Sequence, residues 1–167
     1  MRVAEKSRKN IAFSLRSKEK NENKFRECLD GIEKYIPVAD RENTLQSFKL
    51  TFFSGIEDWK SFAQEFEFYV QKTAYSNAGM INSYCWGIYE KCDDREIISK
   101  ACNWMKKATE KDSQYAYLDT YAALLYKNKE YAEAERVAVV AISTGKNAGE
   151  DVKTTEELLD KIKAASK

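Results

Sequence analysis

The chain has 167 residues, 43% hydrophobic and 33% charged, which bounds it to about one domain and sets it apart from disordered and membrane-spanning chains. A single proline and six glycines leave too little turn chemistry for a many-turned β-sandwich. With 28 Lys and Arg against 27 Asp and Glu, the formal charge of +1 supplies no attraction toward nucleic acid or a membrane surface, and neither partner is expected.

The first twenty residues hold the one local excess of charge, Arg2, Lys6, Arg8, Lys9, Arg16, Lys18 and Lys20 against Glu5 and Glu19. A solvated helix or tail explains it, with a weak phosphate- or acid-binding arm as the alternative. The apolar run Ile11 to Leu15 is shorter than the roughly 7–15 residues of a signal-peptide core. The chain as it stands is therefore expected in the cytoplasm, or in the periplasm if it is a fragment of an exported precursor.

Phe25, Leu29, Ile32 and Ile36 follow at spacings of four, three and four, the stripe of an amphipathic helix over 22–36 that Pro37 stops. Residues 1–40 thus read as a basic segment plus one helix, and 41–167 as a helical repeat domain. Leu45, Phe48, Phe52 and Phe53 make a second stripe that closes near Ser54-Gly55. Trp59, Phe62, Phe66, Tyr69 and Val70 make a third, after Asp58. A short glycine-containing turn between them predicts an antiparallel hairpin.

From about residue 78 the pattern repeats. Asn82-Ser83-Tyr84-Cys85 with Ile88-Tyr89 corresponds, 37 positions on, to Asp119-Thr120-Tyr121-Ala122 with Leu125-Tyr126. In the helices that follow, Ile98, Ala101 and Ala108 match Tyr131, Ala134 and Ala141 at a spacing of 33. Asp93 with Glu96, and Thr154 with Glu157, have the spacing of helix-capping pairs, while Gly145 and Gly149 mark the exit of a helix over about 131–144. Leu158, Leu159 and Ile162 give the last helix, about 153–165, one apolar face, as suits a cap on a stack.

Tyr117 to Tyr126, followed by Lys129-Glu130-Tyr131-Ala132-Glu133-Ala134, resembles a tetratricopeptide repeat: Ala122, Ala134 and Ala141 stand at that family's small packing positions and Tyr131 at its aromatic one. Alanine-sized residues let two helices approach closely, and the ring fills the wedge where they diverge. Lys129 replaces the family's turn glycine, so Asn128 is expected to supply any left-handed residue. The resemblance implies an all-α fold of antiparallel helical hairpins stacked as a short right-handed superhelix with a C-terminal capping helix, covering about residues 43–145. Asp58-Trp59, Asn82 to Trp86 with Tyr89-Glu90, and Glu133-Ala134-Glu135 further resemble the helical region attached to thioredoxin-like proteins of the Bacteroidetes group. No βαβ pattern and no CxxC occurs here, so thiol-disulfide chemistry does not carry over.

No residues announce catalysis. There is no histidine, and Cys28, Cys85, Cys92 and Cys102 form no closely spaced pair, so they read as structural thiols before a disulfide or a metal site. Thr144-Gly145-Lys146 lacks the upstream glycine and the final Ser/Thr of a phosphate-binding loop. Asp93-Asp94 reads as helix capping rather than as a cation site. No catalytic residue, cofactor or metal is expected, and the chain is not read as an enzyme.

In the resembling family the first helix of each hairpin lines a groove that holds a protein or peptide partner. The matched positions are Asn82, Trp86 and Tyr89 in one repeat and Asp119, Ala123 and Tyr126 in the next. Packing of Trp86 and the tyrosines between hairpins is the competing expectation. The expected function is a protein-interaction module; the alternative is a helical accessory region of a thioredoxin-like oxidoreductase, separated from its catalytic domain.

Overall fold

A computed structural model describes residues 22–166, and the basic segment over 1–20 lies outside them. The described residues form eight α-helices and no strand, so the fold is all-α and built of helices packed on their chain neighbours. None of these helices is long and apolar enough to cross a membrane. The chain forms two compact units, with the boundary after Tyr69.

The first unit begins with α1 (Glu22–Tyr35) and α2 (Val38–Gly55). Pro37 separates them with φ −53° and ψ 142°, an extended residue that ends one helix and enters the next. Phe25 of α1 stacks on Phe48 at 5.3 Å between ring centroids and lies 4.6 Å from Phe52, and Ile32 is buried with them. The apolar stripes read in the sequence on either side of residue 40 are therefore the two sides of one small core.

α3 (Trp59–Lys72) follows after three residues, and Asp58 caps it by accepting the Ser61 amide at 3.3 Å. Lys49 and Glu65 pair at 2.8 Å, and Gln46 donates to the Glu65 carbonyl at 3.0 Å, tying α2 to α3 as the expected hairpin. The turn differs from expectation. Gly55 ends α2, and it is Glu57 that takes the left-handed conformation, φ 59°.

The second unit holds α4 (Ala78–Lys91), α5 (Arg95–Lys111), α6 (Tyr115–Lys127), α7 (Tyr131–Ala148) and α8 (Lys153–Ala165). Each packs on the next, and α4 also packs on α6, and α6 on α8. Gly79 faces Tyr117, and the Tyr89 carbonyl accepts a hydrogen bond from Lys127; both pairs are 38 positions apart, so α4 and α6 run parallel and in register. The period of 37 read in the sequence lies one residue from this register. α5 returns from α4 to α6 and α7 from α6 to α8, and Ala101, Ala108, Ala122, Ala134 and Ala141 have no exposed surface. Small residues are thus placed where helices approach.

Several helix boundaries move from their expected places. Asp94, not Asp93, caps α5: its Oδ1 accepts the amides of Glu96 at 2.9 Å and Ile97 at 3.5 Å. Asp93 points outward and pairs with Lys127 at 3.3 Å. Thr154 lies inside α8, whose first amide, Lys153, is met by Asp151 Oδ1 at 3.0 Å. α7 runs through Gly145 and ends at Gly149, which takes φ 75° while Glu150 donates to the Gly145 carbonyl and Gly149 to that of Lys146. Between α6 and α7 the left-handed residue is Lys129, φ 66°, and Asn128 stays right-handed at φ −78°.

Candidate functional site

The parallel pair α4 and α6 brings most of the expected site residues onto one face. Trp86 is 38% exposed, and its ring lies 5.1 Å from that of Tyr89, one helical turn on, tilted by 39°. Tyr89 is half-buried; burial raises its phenol above the usual value, and Asp119, Tyr126 and Glu90 add to the rise. Charge on Asp119 is thus felt across the gap between the helices. Tyr126 is half-buried and continues the aromatic run with Tyr131 of α7, 5.9 Å away.

Two expected residues behave differently. Ala123 is only 3% exposed, so it offers a partner almost no side-chain surface and is removed from the candidate set. Asn82 is half-buried, and its Oδ1 is covered and accepts no hydrogen bond. An acceptor left so costs about 1–3 kcal/mol.

Asp119 is tied into the fold as well as facing the site. Thr155 of α8, fully buried, donates to Asp119 Oδ1 at 2.6 Å, and the Tyr115 hydroxyl lies 2.8 Å from Thr155 Oγ1 and 3.2 Å from the Asp151 carbonyl. Burial raises the Asp119 carboxyl above its usual value, with the Thr155 hydrogen bond opposing. The folded protein then holds that proton more tightly than the unfolded chain. Its contribution to stability is greatest below the ordinary aspartate pKa and falls as pH rises through the folded value. Asp119→Asn keeps an acceptor for Thr155 and carries no charge. It is expected to be more stable than the parent at about pH 7 and to lose that advantage below about pH 4. Urea unfolding of both proteins at the two pH values checks this, and a difference that does not change with pH would reject it.

Lys127 joins the face, and Thr155 supports Asp119 from beneath it, without either being among the residues expected there. Lys127 Nζ donates to the Tyr89 carbonyl at 2.6 Å and lies 5.8 Å over the Tyr89 ring, closing the C-terminal end of the face. Thr155 has no signal in the sequence, because its bond to Asp119 joins residues 36 positions apart on α6 and α8.

The charge pattern of this face is uneven. α4 carries no cation before Lys91, its last residue, and α6 none before Lys127, also its last, whereas Glu90 and Asp119 lie along them. The same two helices hold Tyr84, Trp86 and Tyr89, and Tyr115, Tyr117, Tyr121 and Tyr126. Another cleft of about 160 Å³, between α5, α6 and α7, is mixed in charge, with Glu133 held by Arg136 at 2.8 Å on its rim beside Lys106.

The cysteines lie apart from this face in chemistry. All four are free thiols; Cys85, Cys92 and Cys102 are buried and Cys28 half-buried. Burial raises each of the four, and Cys102 is pushed up to about 12. Little thiolate is available for nucleophilic chemistry at neutral pH. Cys85 Sγ instead donates weakly to the Ala101 carbonyl at 3.9 Å, a packing contact between α4 and α5. Among the described residues no three His, Cys, Asp or Glu side chains group as metal ligands.

No protein family model matches this chain, nor does any curated protein or solved structure.

Proposed function

We propose that this chain is a protein-interaction module of tetratricopeptide-like kind, in which the face made by α4 and α6 receives a peptide or an extended segment of another protein. The observation that carries the reading is Trp86, a large ring 38% exposed beside Tyr89 on a helix whose Ile81 and Ile88 are fully buried. Leaving such a ring in water loses stabilisation that burial would give, and rigid aromatic side chains recur as the anchors of binding surfaces. The alanine-closed packing beneath supports it, because parallel helices in fixed register hold Trp86, Tyr89 and Tyr126 in place before a partner arrives.

Selection of displayed random peptides on the intact chain tests the reading. Peptides that bind the parent are expected to bind Trp86→Ala more weakly by about 1 kcal/mol or more, roughly fivefold. Ligands that bind both proteins equally would place recognition elsewhere and remove the α4–α6 face from the function.

A further inference from the structure

The chemistry of this face also says what kind of segment fits it. We propose that the occupant is a cationic peptide segment, bearing arginine or lysine side chains, seated along α4 and α6 with one cation against the Trp86 ring; this rests on the groove reading above.

Three observations converge on that occupant. The first is the charge pattern. In a chain whose cations and anions are nearly equal in number, 28 against 27, α4 and α6 have no lysine or arginine until their last residues, while the Asp119 carboxylate and Glu90 are both close enough to influence Tyr89. A cation entering the face from the start of these two helices meets no like charge from them before Trp86, beyond which Lys127 lies over Tyr89.

The second is a precedent inside the molecule. Lys127 Nζ sits 5.8 Å over the Tyr89 ring, so the neighbouring ring of this aromatic pair already receives a cation. Lys127 is engaged there, donating to the Tyr89 carbonyl and pairing with Asp93 at 3.3 Å, which holds it at the end of the face. The same arrangement is repeated where Lys107 lies 4.9 Å over the Tyr75 ring.

The third is the character of Trp86 itself. Indole is the best side-chain partner for a cation, and this partly exposed ring packs on Tyr89, the residue on which the negative charges of Asp119 and Glu90 act. A guanidinium stacked on Trp86 gains the ring and the field of Asp119 and Glu90; the one ammonium nearby, Lys127 over Tyr89, is offset by its pairing with Asp93 at 3.3 Å. A carboxylate in the same place would meet the negative face of the ring and two anions.

The experiment uses the full chain and three labelled peptides of one length and background, differing only in carrying several arginines, several glutamines or several glutamates, with binding read by fluorescence anisotropy. The arginine peptide is expected to bind about tenfold tighter than the glutamine peptide, and the glutamate peptide weakest. Trp86→Ala should lower arginine-peptide affinity several-fold and Trp86→Phe, which keeps a ring, should lower it less. Glu90→Lys should weaken the arginine peptide and leave the glutamine peptide as it was. If glutamine or glutamate peptides bind as well as the arginine peptide, and still depend on Trp86, the charge preference is overturned while the groove reading stands. If arginine-peptide binding ignores Trp86→Ala, the site assignment is overturned. If no peptide of any charge binds with dependence on Trp86, both readings fall together.

Discussion

Trp104→Ala is expected to lower the unfolding free energy by about 3–5 kcal/mol, the range for emptying the space of a large aromatic side chain in a packed interior. Trp104 is 1% exposed on α5, where Ile97, Ile98, Ala101, Cys102, Met105 and Ala108 are buried with it. These positions recur with helical period, so one face of α5 is continuously inside the second unit. Removing the largest side chain from it leaves a void that neighbouring alanines cannot fill, because they have no length with which to move in. The midpoint of thermal unfolding should fall by about 4–8 °C for each kcal/mol lost, as in other units of this size. Trp86→Ala is the internal control, since the same side chain on an exposed face should change stability by less than about 1 kcal/mol. Circular dichroism melts of the two variants decide the matter: similar small losses would mean that α5 is not the packed centre described here.

The contrast between those two tryptophans also shows which features of the fold are legible in sequence. Periodicity marks which residues of a helix are buried, so the stripes from Phe25 to Val70 and the repeated alanines predict elements and packing faces correctly. The alanines at 101, 108, 122, 134 and 141 carry the most information, since all five stand at matched positions and all five are fully buried, as close approach of two helices requires. Termini are less legible because several residues compete to cap one helix. Asp93 and Asp94 are chemically equal, and only the pairing of Asp93 with Lys127, contributed by a helix distant in sequence, separates them. The left-handed residues Glu57, Ala74, Tyr75 and Lys129 likewise defeat a search for glycine or asparagine, because helix packing on either side fixes the turn and an ordinary residue accepts the strain. For the candidate site, the register of α4 on α6 is legible and the depth of each residue is not. Ala123 and Trp86 occupy matched helices, yet one is covered and the other open, since depth depends on which neighbours flank a helix: α6 packs on α4, α5, α7 and α8, whereas α4 packs on α5 and α6.

Gly145→Val is expected to be nearly as damaging, and for a reason that runs against helix propensity. Gly145 lies inside α7, where replacing glycine by alanine ordinarily stabilises by about 1 kcal/mol. Here a Cβ would collide with Val152 Cγ1 and stand 2.9 Å from Cδ2 of the Tyr115 ring. Neither neighbour can give way freely. Val152 is buried, and the Tyr115 hydroxyl is held between Thr155 Oγ1 at 2.8 Å and the Asp151 carbonyl at 3.2 Å. Enlarging residue 145 therefore pushes on the same hydrogen-bonded group that carries Asp119, and overpacking of this kind costs about 1–3 kcal/mol or more. Alanine should already be destabilising by about 1 kcal/mol net, and valine, β-branched and larger, by about 3 kcal/mol. A double-mutant cycle identifies the cause. Combined with Val152→Ala, the Gly145→Ala change should become less harmful by about 1 kcal/mol, the signature of two side chains competing for one space. Strict additivity, or a Gly145→Ala protein more stable than the parent in urea, would mean that α7 and α8 separate easily at this point and that Tyr115 is not locked in place.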